Sequence, residues 1–192
     1  MVAVAGRAIP RPESTATGAP LRVQGSDTPN SLWQPAYVGL GSNLGDPRRM
    51  LAAALDQLAA LPQTRVIAVS PYYRSIPFGP VAQSDFLNAV AGMLTQLQPR
   101  MLLQHLRDIE VALGRQATRV RWGPREVDLD LLVHGETRLA EQDLVLPHVG
   151  IPERDFVLYP LRDIAAELQI PGMGRVVDLA ARVKNRGLQR ID

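Results

Sequence analysis

Apolar and polar positions alternate in two rhythms along this chain, and the changes of rhythm mark its elements. Residues 36–41 (Ala-Tyr-Val-Gly-Leu-Gly) read as a short strand leaving through a glycine turn. Asp46 before Pro47 supplies an N-cap acceptor and then a residue that needs no amide donor. This predicts a helix over 47–60 with Met50, Leu51, Ala54, Leu55 and Leu58 on one face. Residues 65–74, with Val66, Ile67, Val69 and a pair of tyrosines, read as a second strand. Two prolines and a glycine within residues 76–80 force a loop. Residues 86–97 predict a third strand. Pro99 then opens a helix to Leu113, with Leu102, Leu103, Leu106 and Ile109 on its stripe and Gly114 as its stop. Residues 127–134 make the clearest strand, followed by a loop around Pro147 and His148, helical turns over 152–166 and a last helix near 175–186. The order β-α-β-β-α-β predicts an α+β fold, a ferredoxin-like split βαβ sandwich in which helices pack on a mainly antiparallel sheet.

Residues 1–34 break both rhythms. They are rich in Pro, Gly, Ser, Thr and Ala and read as a poorly ordered extension, leaving residues 35–192 as one domain. The extension has no sustained apolar stretch before a small-residue cleavage site, so no secretory signal is expected. No apolar run approaches the roughly 20 residues of a spanning helix, so no membrane partner is expected either. The absence of cysteine from all 192 residues excludes disulfides, thiolate metal sites and thiol catalysis. A metal would have to be a hard ion held by oxygen or imidazole, such as Mg²⁺. The 21 basic and 19 acidic side chains leave a net charge of +2, without the excess that nucleic-acid binding needs. Lys184 is the sole lysine, so nearly all positive charge sits on planar guanidinium forks suited to carboxylate and phosphate.

The chemistry concentrates in Arg121-Trp-Gly-Pro-Arg-Glu-Val-Asp-Leu-Asp-Leu-Leu (121–132). On a strand, Val127, Leu129, Leu131 and Val133 share one face, and Asp128, Asp130 and Leu132 share the other. Two carboxylates rooted ~7 Å apart repel unless cations offset them. Taken alone, such a pair also fits a solvated strand face. Arg115, Arg119, Arg121 and Arg125 just before it favour a polyphosphate, whose charge guanidinium and metal can share. Gly39-Leu-Gly-Ser-Asn-Leu-Gly45 lacks the spacing of a phosphate-binding glycine loop and reads as a tight strand exit. Phe86 and Phe156, near Asn88 and Arg154, fit either core packing or a stacking wall for a flat heterocycle. His105 reads as surface, and His148 as either loop function or surface.

Five segments in one register resemble the 6-hydroxymethyl-7,8-dihydropterin pyrophosphokinase family over roughly residues 36–168. They are residues 39–46, Ser-Pro-Tyr-Tyr-Arg-Ser-Ile-Pro-Phe-Gly-Pro (70–80), Asp-Phe-Leu-Asn-Ala (85–89), 121–132, and Leu-Pro-His-Val-Gly (146–150) leading to Arg154 and Phe156. The resemblance implies transfer of pyrophosphate from ATP to the pterin hydroxymethyl group, with release of AMP, in folate biosynthesis. It implies two Mg²⁺ on Asp128 and Asp130, and Arg115 and Arg125 acting with them at the phosphates. Glu110, Arg121, Trp122, His148 and Arg154 correspond to the ATP side. Phe86 and Phe156 would sandwich the pterin, Asn88 and the Ser75 backbone would read its polar edge, and Pro77 and Phe78 would line the pocket. Ala117 and Thr118 stand where a second basic pair is familiar in the family, and Val149 where an aromatic is often found. The implied setting is the cytoplasm, with small-molecule substrates and a monomeric chain, a dimer being the alternative. The competing function is a non-catalytic pterin- or nucleotide-binding regulator on the same fold.

Overall fold

The computed structural model describes residues 32–77, 82–115 and 123–191. The expectations placed on Phe78, Arg121 and Trp122, and on residues 1–31, lie outside the described residues. Fourteen helices and strands follow in order among the described residues. They are β1 (Gln34–Ser42), α1 (Pro47–Ala59), β2 (Thr64–Val69), β3 (Tyr72–Ser75), β4 (Phe86–Thr95), α2 (Pro99–Ala112) and β5 (Asp128–His134), then β6 (Leu139–Ala140), β7 (Val145–Leu146), α3 (Asp155–Ala165), β8 (Gln169–Ile170), β9 (Gly174–Arg175), α4 (Val176–Arg182) and β10 (Gln189–Ile191). The main sheet runs β10-β3-β4-β1-β5, with β2 lying end to end with β3 along the same side of β4. Every pairing in it is antiparallel, and β1 and β4 form its centre. This is the expected split βαβ arrangement.

Local chemistry sets the element ends. Asp46 accepts the Arg49 amide at 3.1 Å and Pro47 follows, so α1 starts where expected. The single strand expected over 65–74 is two strands, because Pro71 cannot donate to the ladder. At the break the Ser70 amide donates to the Val90 carbonyl at 2.9 Å, and the Val90 amide donates to the Ser70 hydroxyl at 2.9 Å. A side chain thus replaces the missing main-chain acceptor. The helical turns expected over 152–166 are a short 3-10 turn at Ile151–Glu153 and then a continuous α3 that tolerates Pro160. The helix expected to reach 186 stops at Arg182, where Val183 turns extended. The hairpins β6–β7 and β8–β9 and the edge strand β10 were not legible, being two or three residues each.

The sheet separates two cores. Val38, Leu40, Leu51, Leu58, Leu102 and Leu106 pack beneath α1 and α2, all nearly or fully buried. Val90, Leu132, Leu158, Leu161 and Ile170 pack beneath α3 and α4 on the opposite face. A bulge in β5 corrects the expected alternation. Tyr37 pairs with Val133 and Val38 with Leu131, so Leu132 is the extra residue. Val133 therefore joins Leu132 in the α3–α4 core instead of following Leu129 and Leu131 under α2. A second irregularity interrupts the β2–β4 register at Val66/Ala68, around Ile67, which faces outward with Arg65 and Val69 and is 60% exposed.

His134 ends β5 buried, with Nε2 at 2.9 Å from the Leu97 carbonyl. Nδ1 has no hydrogen-bond partner among the described residues. Burial lowers its pKa from the ordinary 6.5, and the bond to the Leu97 carbonyl offsets this only in part. The unfolded chain therefore takes this proton at a higher pH than the folded one. The associated stability is complete above about pH 6.5 and is lost as pH falls from there toward the lowered folded value, by up to ~1.4 kcal/mol per pH unit. The thermal midpoint of the wild-type chain should fall on acidification below pH 6.5, and His134→Gln should flatten that fall. Parallel midpoint–pH curves for the two proteins would refute the assignment.

Candidate active site

A cavity of about 600 Å³ opens at one end of the sheet, between α2 and α3. Its floor is β1. Gly39 pairs with Asp130 and Gly41 with Asp128, so each glycine stands beside one of the two acids. A Cβ on Gly41 would lie 3.4 Å from Asn88 Oδ1 and 3.8 Å from the Phe86 ring. The two glycines are thus strand residues that leave room over the floor, not the tight exit expected of them. The exit turn belongs to Gly45, whose φ of 63° favours glycine.

At one end of the cavity, β3, β4 and α3 bring together Ser75, Phe86, Asn88 and Phe156. Asn88 is 5% exposed, and its Nδ2 donates to Ser75 Oγ at 2.9 Å and to the Tyr73 carbonyl at 3.3 Å. Its donors are occupied by protein, which turns Oδ1 toward the space above Gly41 as an acceptor. Phe156 lies under the Arg154 guanidinium, 5.8 Å from ring centroid to Cζ. Ile76, rather than the expected Pro77, reaches the cavity wall.

At the other end, β5 presents Asp128 and Asp130 side by side with about a third of each side chain exposed, 32% and 36%. Asp128 accepts Arg125 Nη1 at 2.7 Å and lies 3.2 Å from Arg115 Nη1, while Asp130 accepts Arg154 Nη1 at 3.2 Å. Desolvation, then repulsion from Asp130, raises the Asp128 pKa; Arg125 and Arg115 pull it back in part. Glu110, buried on α2, accepts the Leu129 amide at 2.7 Å and pairs with Arg115. It therefore pins the β5 backbone and holds an arginine for the acid pair. Burial raises its pKa above the ordinary carboxylate value, against the pull of the Leu129 amide and Arg115. Asn43 ties this end together, accepting the Arg125 amide at 2.8 Å and donating to Gln83 and to the Ser84 carbonyl, each at 3.0 Å.

His148 also lines the cavity. The Gly150 amide donates to its Nδ1 at 3.0 Å, which leaves the ring proton on Nε2. Burial lowers its pKa, so the ring is a neutral donor. Sequence reasoning placed Arg115, Arg125, Asp128, Asp130, Glu110, His148, Arg154, Ser75, Phe86, Asn88 and Phe156 in one site, and the structure gathers all of them around one cavity. It missed the apolar stretch contributed by Leu103, Leu131, Leu144 and Val145. Val145 opens a two-residue strand with no periodic signal, Leu144 precedes it, and Leu131 looked like plain core.

The acid pair can hold a hard cation. Among the described residues no three His, Asp or Glu cluster into a closed cage. Two carboxylates, each about a third exposed and facing a cavity, suit Mg²⁺, which keeps most of its shell for water and phosphate.

A cavity lined by Phe86 and Phe156 at one end and by three guanidiniums at the other joins groups suited to a flat ring with groups suited to phosphate. Comparison with known proteins gives the class. Residues 37–166 match the 7,8-dihydro-6-hydroxymethylpterin-pyrophosphokinase (HPPK) family, and the chain belongs to it. It is 46% identical over 158 residues to the 2-amino-4-hydroxy-6-hydroxymethyldihydropteridine pyrophosphokinase of Pseudomonas aeruginosa, covering 82% of this chain and 97% of that one. The protein of the same name from Methylorubrum extorquens is 45% identical over 157 residues, covering 82% and 98%. Among solved structures the fold resembles Plasmodium falciparum HPPK-DHPS with pteroate, at a TM-score of 0.66 and 13% identity over 83% of this chain and 48% of that one. This last likeness shows the fold alone.

Gly150 tests the geometry of the phosphate end. Its φ of −78° and ψ of −5° suit alanine, but a Cβ there would stand 2.6 Å from Arg154 Nε and 3.0 Å from His148 Cε1. Gly150→Ala should therefore cost less than ~1 kcal/mol of stability while displacing Arg154 from Asp130 and lowering turnover at least about tenfold. Wild-type turnover in a folded Gly150→Ala protein would show that Arg154 acts from another position.

Proposed function

We propose that this cavity transfers pyrophosphate from ATP to the hydroxymethyl group of 6-hydroxymethyl-7,8-dihydropterin, giving AMP and the pterin diphosphate in folate biosynthesis. The observation that carries the reading is the continuity of the cavity from the Phe86–Asn88–Phe156 slot to the Asp128–Asp130 pair. The pterin ring lies between Phe86 and Phe156. Asn88 Oδ1 accepts an N–H of its polar edge, the Ser75 backbone supplies a further contact, and the hydroxymethyl arm points along the floor toward the acids. Phe78 is assigned to the rim of the same slot. The apolar stretch of Leu103, Leu131, Leu144 and Val145 is where the nucleotide base packs, which lays the phosphates between the two ends.

The hydroxyl oxygen attacks the β-phosphorus. The bond from that phosphorus to the oxygen bridging it to the α-phosphorus breaks, AMP carries away the bond's electron pair, and the hydroxyl proton is released. Asp128 and Asp130 would hold two Mg²⁺, which supply charge neutralisation at the phosphates and a more acidic hydroxyl. The chain's own part is positional and electrostatic. Arg115, Arg125 and Arg154 rest on carboxylates and can exchange them for phosphate oxygens, an exchange that keeps each guanidinium satisfied throughout. Neutral His148 donates Nε2–H to a phosphate oxygen. Glu110 keeps Arg115 and the β5 backbone in place, and Arg121 and Trp122 are assigned to the ATP side. The catalytic unit is residues 35–192, acting in the cytoplasm on small molecules and without nucleic acid. No helix among the described residues is long and apolar enough to cross a membrane. The acting unit is taken as the single chain, with a dimer as the alternative.

AMP formation from ATP, Mg²⁺ and the pterin tests the reaction directly; pterin binding without AMP would make the chain a binder instead. Asp128→Ala or Asp130→Ala should abolish AMP formation yet leave the thermal midpoint within a few degrees, because Leu129 and Leu131 on the opposite face supply the packing. Substantial Mg²⁺-dependent turnover in either variant would refute the metal assignment.

The slot makes a separate claim. Phe86→Leu keeps apolar burial but loses a flat face, so pterin should bind about tenfold more weakly, ~1.4 kcal/mol. Asn88→Leu should do worse, by ~1–3 kcal/mol for each unpaired polar group. Affinity for a non-hydrolysable ATP analogue should stay the same in both. Calorimetry showing lost nucleotide binding with pterin binding retained would return Phe86 to the core.

A further inference from the structure

Arg154 and Phe156 flank a residue that neither end of the cavity uses. Asp155 is 2% exposed at the start of α3. Its Oδ1 accepts the Phe156 amide at 2.9 Å, and its Oδ2 accepts the Arg186 amide at 2.7 Å, 31 residues away. Burying a carboxylate is costly unless strong bonds repay its lost hydration, and charge-assisted bonds to amides are of that kind.

The second bond ends in the C-terminal segment, which does not line the cavity. Around it, Asn185 Oδ1 accepts the Gly187 and Leu188 amides at 2.8 and 3.0 Å, and Gly187 adopts a φ of 88°. The turn delivers β10 onto β3, pairing Gln189 with Arg74, Arg190 with Tyr73 and Ile191 with Tyr72. The circuit closes through the Tyr73 hydroxyl, which donates to Asp163 on α3 at 2.7 Å. One wall of the slot, Phe156, thus belongs to α3, and another, Ser75 with the Asn88 it holds, depends on β3. The segment 183–191 is bonded to both.

We propose that Asp155 is a positioning residue for the flat-ring substrate: by latching the C-terminal segment to the first turn of α3, it sets where Phe156 and Arg154 stand relative to β3. Docking of the segment and binding of the ring are then thermodynamically linked, each favouring the other by the same factor. This inference rests on the pterin reading of the cavity.

The test uses the full chain, with 6-hydroxymethyl-7,8-dihydropterin as probe. In the wild-type protein, pterin should slow hydrogen exchange at the Arg186 amide. Asp155→Ala should speed that exchange and weaken pterin binding at least about fivefold. It should raise the KM for pterin more than it lowers kcat, a split that a loss of stability alone would not produce. Asp155→Asn keeps one acceptor oxygen, so it should fall between the two and serves if the alanine variant does not fold. Arg186 exchange unmoved by bound pterin, or unchanged pterin affinity in a folded Asp155→Ala protein, overturns the coupling alone. A wild-type chain that binds no pterin overturns this inference together with the function on which it rests.

Discussion

Asp128 and Asp130 repel each other, and much of the site is arranged around keeping them together. Side by side on one strand face they raise each other's free energy when ionised, and partial burial makes the repulsion stronger. Arg115, Arg125 and Arg154 offset it from three places in the chain: the end of α2, the approach to β5 and the approach to α3. Glu110 holds Arg115, and Asn43 holds the backbone of Arg125. A site held by opposing charges is pre-organised for a ligand that is itself a string of charges. In the proposed reaction, polyphosphate would exchange partners within an existing network, so that little reorganisation accompanies binding.

The sheet lets one strand serve this site and two cores at once. Leu129 and Leu131 anchor β5 under α2, while Asp128 and Asp130 face the cavity. Past the bulge, Leu132 and Val133 both turn to the α3–α4 core. The same strand is therefore polar-faced at its start and apolar-faced at its end. The glycines of β1 complete the division: beside the acids they carry no side chain of their own, under Leu132, Asn88 and Phe86, whereas further back Tyr37 covers Gly92.

How much of this was legible depended on whether a residue's role was local. Asp46-Pro47 announced α1, the leucine stripe announced α2, and the alternation in β5 put both acids on one face, because each signal is a property of a few consecutive residues. The Ser70–Val90 substitution and the Leu132 bulge depend on the partner strand, and no single segment carries them. The site residues were legible through their chemical types and order. Their wiring was not, since Asn88 spending its donors on Ser75 and Tyr73 is a fact of β4 meeting β3. Asp155 and Arg186 gave no signal at all: a carboxylate between two functional residues looks like surface charge until its bonds are seen.

The irregularity at Ile67 has a meaning beyond the site. β2 borders β4 on one side, and no strand among the described residues covers its other side. A regular apolar strand in that place would be a template on which another copy could add its own backbone, extending the sheet from molecule to molecule. The extra residue breaks the spacing of hydrogen-bonding groups along β2 and turns its direction, while Arg65, stacked over Trp33, sets a charge near its start. The cost is an isoleucine left in water. The gain is an edge whose backbone groups lack the even spacing that an added strand requires.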